Sequence, residues 1–313
     1  MAATPPDFLR LLTVPALGWA ALRDVRTRRV SNHFWIPLVG LGIVLLGWEG
    51  VTALRLGNYR WQIFLTRAVI SIGFVVPFAY GAWELGGFGG ADAKAFISIA
   101  ILFPSYPTYY LDGVALPLVV AIIGVFSLTI LVNTVLIGAL YPVLLSIRNL
   151  FAGHRPSARS LLGRKISVAD IPSTHGRLLE NRAGFTRSGL DLDALRMYLR
   201  YRDIDLSDIR ERPELRDPTT LPEDPNDPTD GAIQFDGGFD DPWGADRFLS
   251  DIDHNAYGTT PEQLREGLDV LAKKDEVWIS PGIPFLVPAF LGCCIALTYG
   301  DLLIGIFKAL SIG

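Results

Sequence analysis

The 313-residue chain is 50% hydrophobic and only 19% charged, with a mean hydropathy of +0.33, whereas soluble domains carry about 25% charged residues. A net charge of −4 excludes a basic nucleic-acid binder. Two adjacent cysteines, Cys293 and Cys294, and four scattered histidines exclude a disulfide framework and a closely spaced zinc motif.

The charge is concentrated. Of 32 acidic residues 25 lie between Arg148 and Glu276, as do 18 of 28 basic ones, so a nearly uncharged body carries one charged insert. The body reads as six apolar stretches of membrane-spanning length. The first, Phe8–Leu22, contains Arg10 and ends in Arg23-Asp24-Val25-Arg26-Thr27-Arg28-Arg29. With no basic region ahead of it and no small-residue cleavage site, it is expected to be a retained helix and not a signal peptide. The second is Phe34–Trp48, and the third is Trp61–Trp83, interrupted by Arg67. The fourth lies between Lys94 and Asp112, and the fifth within Gly113–Ile147, starting near Pro117. The sixth lies within Val277–Gly300, and extends to Phe307 if Asp301 is tolerated at the far surface. The expected fold class is therefore an all-α polytopic membrane protein: five helices in residues 1–147, a cytoplasmic and partly disordered insert in 148–276, and a final helix in 277–313.

The arginines after the first stretch set the orientation by the positive-inside rule. That end, the loop before Lys94 and the insert face the cytoplasm, and both termini face outside. Arg148–Arg187 holds eight basic and two acidic residues, consistent with a cytoplasmic location. Asp203–Asp253 holds 16 acidic and four basic ones. Leu221–Gly244, dense in Pro, Asp and Gly, reads as a disordered linker. Two helices are expected in the insert. One covers Asp191–Tyr201; the other starts at the capping box Thr260-Pro261-Glu262-Gln263 and leads to Trp278 as an interfacial aromatic.

Ionisable groups at the edge of a span are functional candidates by default. Asp24, Glu84 and Asp92 are the acidic residues outside the insert expected near the cytoplasmic surface. Asp92 follows Gly86-Gly87-Phe88-Gly89-Gly90-Ala91, a run that frees the backbone for positive φ and for close approach of another chain. Asp92 would open a helix, where the dipole favours an ionised carboxylate. Asp24 would close one, where the dipole favours the proton, although its neighbouring arginines offset that bias. Two carboxylates sharing a proton are the apparatus of aspartic proteolysis. The plain readings stand beside these. Asp24 also reads as a solvated interfacial charge, Glu84 as an interface charge, and Lys94, Arg10 and Arg67 as snorkelling anchors. Cys293 and Cys294 read as apolar packing.

Gly89-Gly90-Ala91-Asp92-Ala93-Lys94 resembles the GxGDxK signature of the membrane aspartic peptidases that process type IV prepilins and archaeal preflagellins. Asp24-Val25-Arg26-Thr27-Arg28-Arg29-Val30-Ser31-Asn32 is similar to that family's first catalytic segment, and the expected number of spans matches the archaeal branch. Pro281-Gly282-Ile283-Pro284-Phe285 and Gly300-Asp301 look like the C-terminal part of archaeal members. Ala91 replaces the second glycine of the signature, and the paired Cys-x-x-Cys zinc motifs of the bacterial enzymes are missing. The resemblance implies Asp24 and Asp92 as the catalytic pair, with Gly89, Gly90, Ala91 and Lys94 as supporting residues. It implies no metal or organic cofactor. The implied partners are pilin and archaeal flagellin precursors and the lipid bilayer, with short basic leaders removed at the cytoplasmic face. A presenilin-type peptidase lacks its expected companion motifs here. A transporter, or a non-catalytic anchor displaying the acidic insert, is the alternative of another class.

Overall fold

The computed structural model describes residues 4–27, 30–85, 88–111, 113–153, 155, 157–222, 241–252, 256–281 and 285–311. In chain order, α1 (Pro5–Arg10) and α2 (Thr13–Thr27) precede a 3₁₀ turn at Asn32–Phe34 and α3 (Trp35–Arg55). Next come α4 (Asn58–Ile70), a π-helical turn at Ser71–Val75, α5 (Val76–Glu84) and α6 (Gly90–Leu102). A hairpin of β1 (Tyr109–Leu111) and β2 (Val114–Leu116) leads to α7 (Phe126–Phe151). After α8 (Ala158–Leu162) come β3 (Arg164–Ser167), β4 (Gly176–Leu178), β5 (Glu180–Asn181) and β6 (Gly184–Phe185). The remainder is α9 (Leu192–Arg202), α10 (Leu206–Glu211), α11 (Ala245–Asp251), α12 (Pro261–Lys273), β7 (Glu276–Pro281), α13 (Leu286–Thr298) and α14 (Leu302–Ser311). The protein is mostly helical, and the short strands are additions to the all-α expectation.

The chain divides into two compact units, residues 1–141 with 284–313, and residues 142–283. Three helices in the chain are long and apolar enough to cross a membrane: Asn32–Arg55, Asn58–Glu84 and Phe126–Phe151. At 1.5 Å per residue, α3 alone is about 31 Å long, the thickness of a bilayer's hydrocarbon core. The second long helix runs through the π turn. Pro77 has no N–H to close the preceding turn, and its ring crowds the carbonyl four residues earlier, so the ladder widens there. Ser71 at that turn hydrogen-bonds the Ala100 carbonyl and the Ser127 hydroxyl, both at 2.6 Å.

Several expected spans differ in extent. The first is broken at Leu11-Leu12 into α1 and α2, and the second runs on to Arg55. The fourth stops at Leu102 because Pro104 and Pro107 oppose further helix, and the hairpin takes the rest. The fifth begins at Phe126, not near Pro117, because the chain before it pairs as β2 and then bridges Val119 to Gly300. The sixth begins at Leu286. Glu276–Pro281 is a strand, and Trp278 pairs with Lys165 inside a sheet instead of opening a span. Gly300 (φ +102°) then turns the chain into α14. A Cβ there would lie 1.9 Å from the Val119 carbonyl oxygen, so only glycine fits.

The apolar core of the first unit joins Leu17, Ala20 and Ala21 of α2, Phe96 and Ile99 of α6, and Leu286, Ala289 and Cys293 of α13. Arg10 is 1% exposed and does not snorkel. It pairs with both carboxylate oxygens of Glu49 at 2.6 and 2.7 Å and donates to the Leu102 carbonyl at 2.6 Å.

The second unit has its own core. Antiparallel β3-β7-β4, with Ile166 opposite Val277 and Leu178 opposite Ile279, packs with α9 and α12 around Tyr198, Phe248, Leu264 and Leu268. The capping box appears as expected: Gln263 N–H donates to Thr260 Oγ1 at 3.3 Å, and Thr260 N–H to Gln263 Oε1 at 2.9 Å. Most of the expected linker, residues 223–240, lies outside the described residues. Its two ends are not free chain, because Leu221 and Trp243 are buried in this core.

Candidate active site

Asp92 is the third residue of α6, and its side chain is 9% exposed. Its Oδ2 accepts the Gly89 N–H at 2.9 Å, so the carboxylate satisfies one of the unpaired donors at the helix start and meets the positive end of the dipole. Gly89 has φ −72°, and neither it nor Gly90 takes positive φ. The reason for glycine is instead proximity: a Cβ at position 89 would lie 3.0 Å from Asp92 Oδ2. At Gly90 the nearest atom is Trp83 Nε1, at an ordinary 3.6 Å. Ala91 sits inside α6, where alanine suits the backbone. Gly86 and Gly87, and with them part of the expected hinge, lie outside the described residues.

Asp24 lies in the last turn of α2 and is half-buried. The 3₁₀ turn Asn32–Phe34 connects its segment with that of Asp92. Phe34 stacks on Trp19 of α2 with ring centroids 4.7 Å apart, and the Arg23 guanidinium sits 5.3 Å from the Trp19 ring. On its other side, Asn32 Oδ1 accepts from Lys94 Nζ at 2.5 Å. The two sequence motifs are thus joined by a direct hydrogen bond from the lysine of one to the asparagine of the other.

Helix α13 carries both aspartate-bearing helices. Gly18 of α2 lets Phe290 approach, since a Cβ there would be 3.2 Å from the ring. Phe285, just before α13, packs on Phe88 and Phe96 with centroids 4.8 and 6.3 Å away, and Phe88 stacks on Phe96 at 5.6 Å. This aromatic trio anchors the glycine-rich turn to α6 and α13. Sequence reasoning missed it because Phe285 is nearly two hundred residues away in the chain. Glu84 is exposed at the end of α5, near the Tyr80 hydroxyl. Among the described residues no group of three or more His, Cys, Asp or Glu is arranged to hold a metal ion.

Comparison with known proteins extends over both units. The type IV leader peptidase family matches residues 11–143, and the archaeal Peptidase A24 C-terminus type II family matches residues 157–302. A preflagellin peptidase of Methanocaldococcus jannaschii is 19% identical over 294 residues, covering 92% of each chain. A preflagellin peptidase of Methanococcus voltae is 28% identical over 48% of this chain and 64% of its own. Prepilin peptidase EppA of Methanothermobacter thermautotrophicus is 30% identical over 44% of this chain and 33% of its own. A non-catalytic anchor or transporter has no support in these matches. With an A24 core and the archaeal C-terminal part following it in order, the chain belongs to the type IV leader peptidase family and is a peptidase, and an aspartic type is consistent with that family.

Proposed function

We propose that this peptidase removes short basic leaders from pilin and archaeal flagellin precursors at the cytoplasmic face of the membrane, with Asp24 and Asp92 as its catalytic pair. The observation that carries the reading is the Lys94–Asn32 hydrogen bond. It links the segment following Asp24 to the helix whose first turn holds the buried Asp92. The substrate class rests on the relatives named preflagellin and prepilin peptidase.

In the proposed reaction one carboxylate takes a proton from water while the other, protonated, donates to the scissile carbonyl. The tetrahedral intermediate collapses as a proton passes to the leaving amine, and the pair returns to sharing one proton. Asp92 is the ionised member, since a backbone N–H and the helix start both favour its charge. Asp24, at the opposite kind of helix end, holds the shared proton.

Six membrane passes follow from the same reading: α1 with α2, α3, α4 with α5, α6, α7, and α13 with α14. Arg23, Arg26, Arg28 and Arg29 mark the cytoplasmic end, and the unit 142–283 lies on that side. A precursor would then keep its hydrophobic helix in the bilayer while its leader reaches the aspartates.

The test is incubation of membranes holding Asp24→Asn or Asp92→Asn, each separately, with pilin and flagellin precursors. Leader release, read by mass spectrometry, should drop by about 10²–10⁴-fold or more in each variant with the protein still inserted. Undiminished release by either variant would remove that residue from the catalytic pair.

A further inference from the structure

At the end of the first unit remote from Asp92, the last turns of α3 and the first half of α4 line an open cavity of about 370 Å³. Helix α6 runs from Asp92 toward it, and Ser105, just past that helix, lines its wall. At 1.5 Å per residue the cavity lies roughly 20 Å along α6 from the catalytic turn.

Arg60 and Arg67 both face this cavity, beside Glu49 and Trp48. Glu49 is already engaged through both carboxylate oxygens by Arg10, which Asp7 also approaches at 3.3 Å. Among the described residues neither Arg60 nor Arg67 has a carboxylate within ion-pair distance. Glu49 is the only carboxylate among the cavity's described lining residues, and Arg10 already holds it. Arg67 is half-buried and lies within the apolar helix Asn58–Glu84, where an uncompensated charge is expensive. Its place is reserved by Gly124: a Cβ there would fall 2.6–2.9 Å from the guanidinium atoms, and the glycine's φ of +70° suits no other residue well. Beside the cavity, Leu54, Leu56 and Tyr59 present apolar surface outward, and Trp48 is the kind of side chain that settles at a membrane interface.

We propose that this cavity binds one phosphate group, that of an anionic phospholipid whose headgroup carries no compensating cation. The phosphate of such a headgroup is an anion, and guanidiniums are suited to its paired oxygens. Arg67 is the inner ligand, Arg60 the outer one and the Ser105 hydroxyl a further donor. The lipid's chains lie along the apolar surface next to the cavity. A free phosphate ion offers the same chemistry, and the experiment separates the two sources.

The full chain is purified in detergent with phosphatidylglycerol and phosphatidylcholine present, and retained lipid is counted by native mass spectrometry. One phosphatidylglycerol per chain is expected, retained in preference to phosphatidylcholine. Arg67→Gln should lower that retention by about tenfold or more, and Arg60→Gln by several-fold, as loss of charge-assisted hydrogen bonds predicts. Because Arg60 is exposed, its variant tests the site even where Arg67→Gln fails to fold. A parallel arm replaces the lipid with inorganic phosphate: binding that needs both arginines, without retained phosphatidylglycerol, assigns the site to free phosphate. Equal retention of the two lipids, or undiminished retention in both variants with no arginine-dependent phosphate binding, overturns the proposal.

Discussion

Gly89 and Gly90 are neighbours in one motif, yet their surroundings demand different things of them. The Asp92 carboxylate folds back over Gly89, leaving 3.0 Å to where a methyl group would sit, whereas Gly90 has ordinary clearance. Gly89→Ala should therefore push the carboxylate off the Gly89 N–H and cut leader release about tenfold or more, the worth of one charge-assisted hydrogen bond. Gly90→Ala should retain most activity. Parallel cleavage assays on the two variants check this, and equal loss in both would contradict the crowding argument. Sequence alone located Asp92 at a helix start, because a small-residue run followed by Ala-Asp-Ala-Lys-Ala is a recognisable beginning. It assigned the glycines to positive φ and to the approach of another chain, however, since the return of a side chain onto the backbone three residues earlier is a matter of three-dimensional placement. Arg10 was misread for a related reason: its partner Glu49 is 39 positions away, and a lone arginine in an apolar run gives no sign of being paired.

Helix contacts rest on small residues that admit neighbouring backbones, as is usual where lipid tails offer little competing hydrophobic drive. A Cβ on Gly42 of α3 would meet Ile101 and Leu102 of α6 at 2.9–3.3 Å, while one on Gly40 meets nothing within 4 Å. Gly42→Leu should lower stability by about 1–3 kcal/mol through overpacking, and Gly40→Leu should leave it nearly unchanged. Thermal unfolding in one detergent measures the difference between two substitutions of the same chemistry. Helix existence was legible from apolar run length. Helix ends were not, because Pro104 and the strand at Glu276–Pro281 stop helices that hydropathy alone would continue.

Across the whole molecule, the charged segment proves to be a packed unit with Tyr198, Trp243 and Phe248 in its core. Removing residues 223–240 while keeping Leu221 and Trp243 should preserve leader release. Trp243→Ala should destabilise that unit by about 3–5 kcal/mol, measured by its tryptophan and circular-dichroism melting. The same core sets a pH limit. Burial pushes the Tyr198 hydroxyl, which donates to the Trp243 carbonyl at 2.6 Å, up to about 12 from an ordinary 10.0. The folded unit keeps this proton where the unfolded chain has lost it. The resulting stabilisation is therefore complete below pH 10.0 and is lost as pH rises toward about 12. Tyr201, raised by burial and by its hydrogen bond to Asp251, acts in the same direction. Alkaline titration of tyrosinate absorbance should show these two groups ionising together with unfolding, and Tyr198→Phe should make the stability loss over that interval shallower.

The linear order of residues was enough to establish a membrane-embedded helical body, a charged insert, two aspartate motifs and a family, because run length, charge distribution and spacing are local properties of a chain. It did not reveal that the insert folds around its own core, that Asn32 receives Lys94, or that Phe285 closes over the glycine-rich turn. Each of those depends on a partner far away in sequence, and only the packing of helices and strands brings such partners within contact distance.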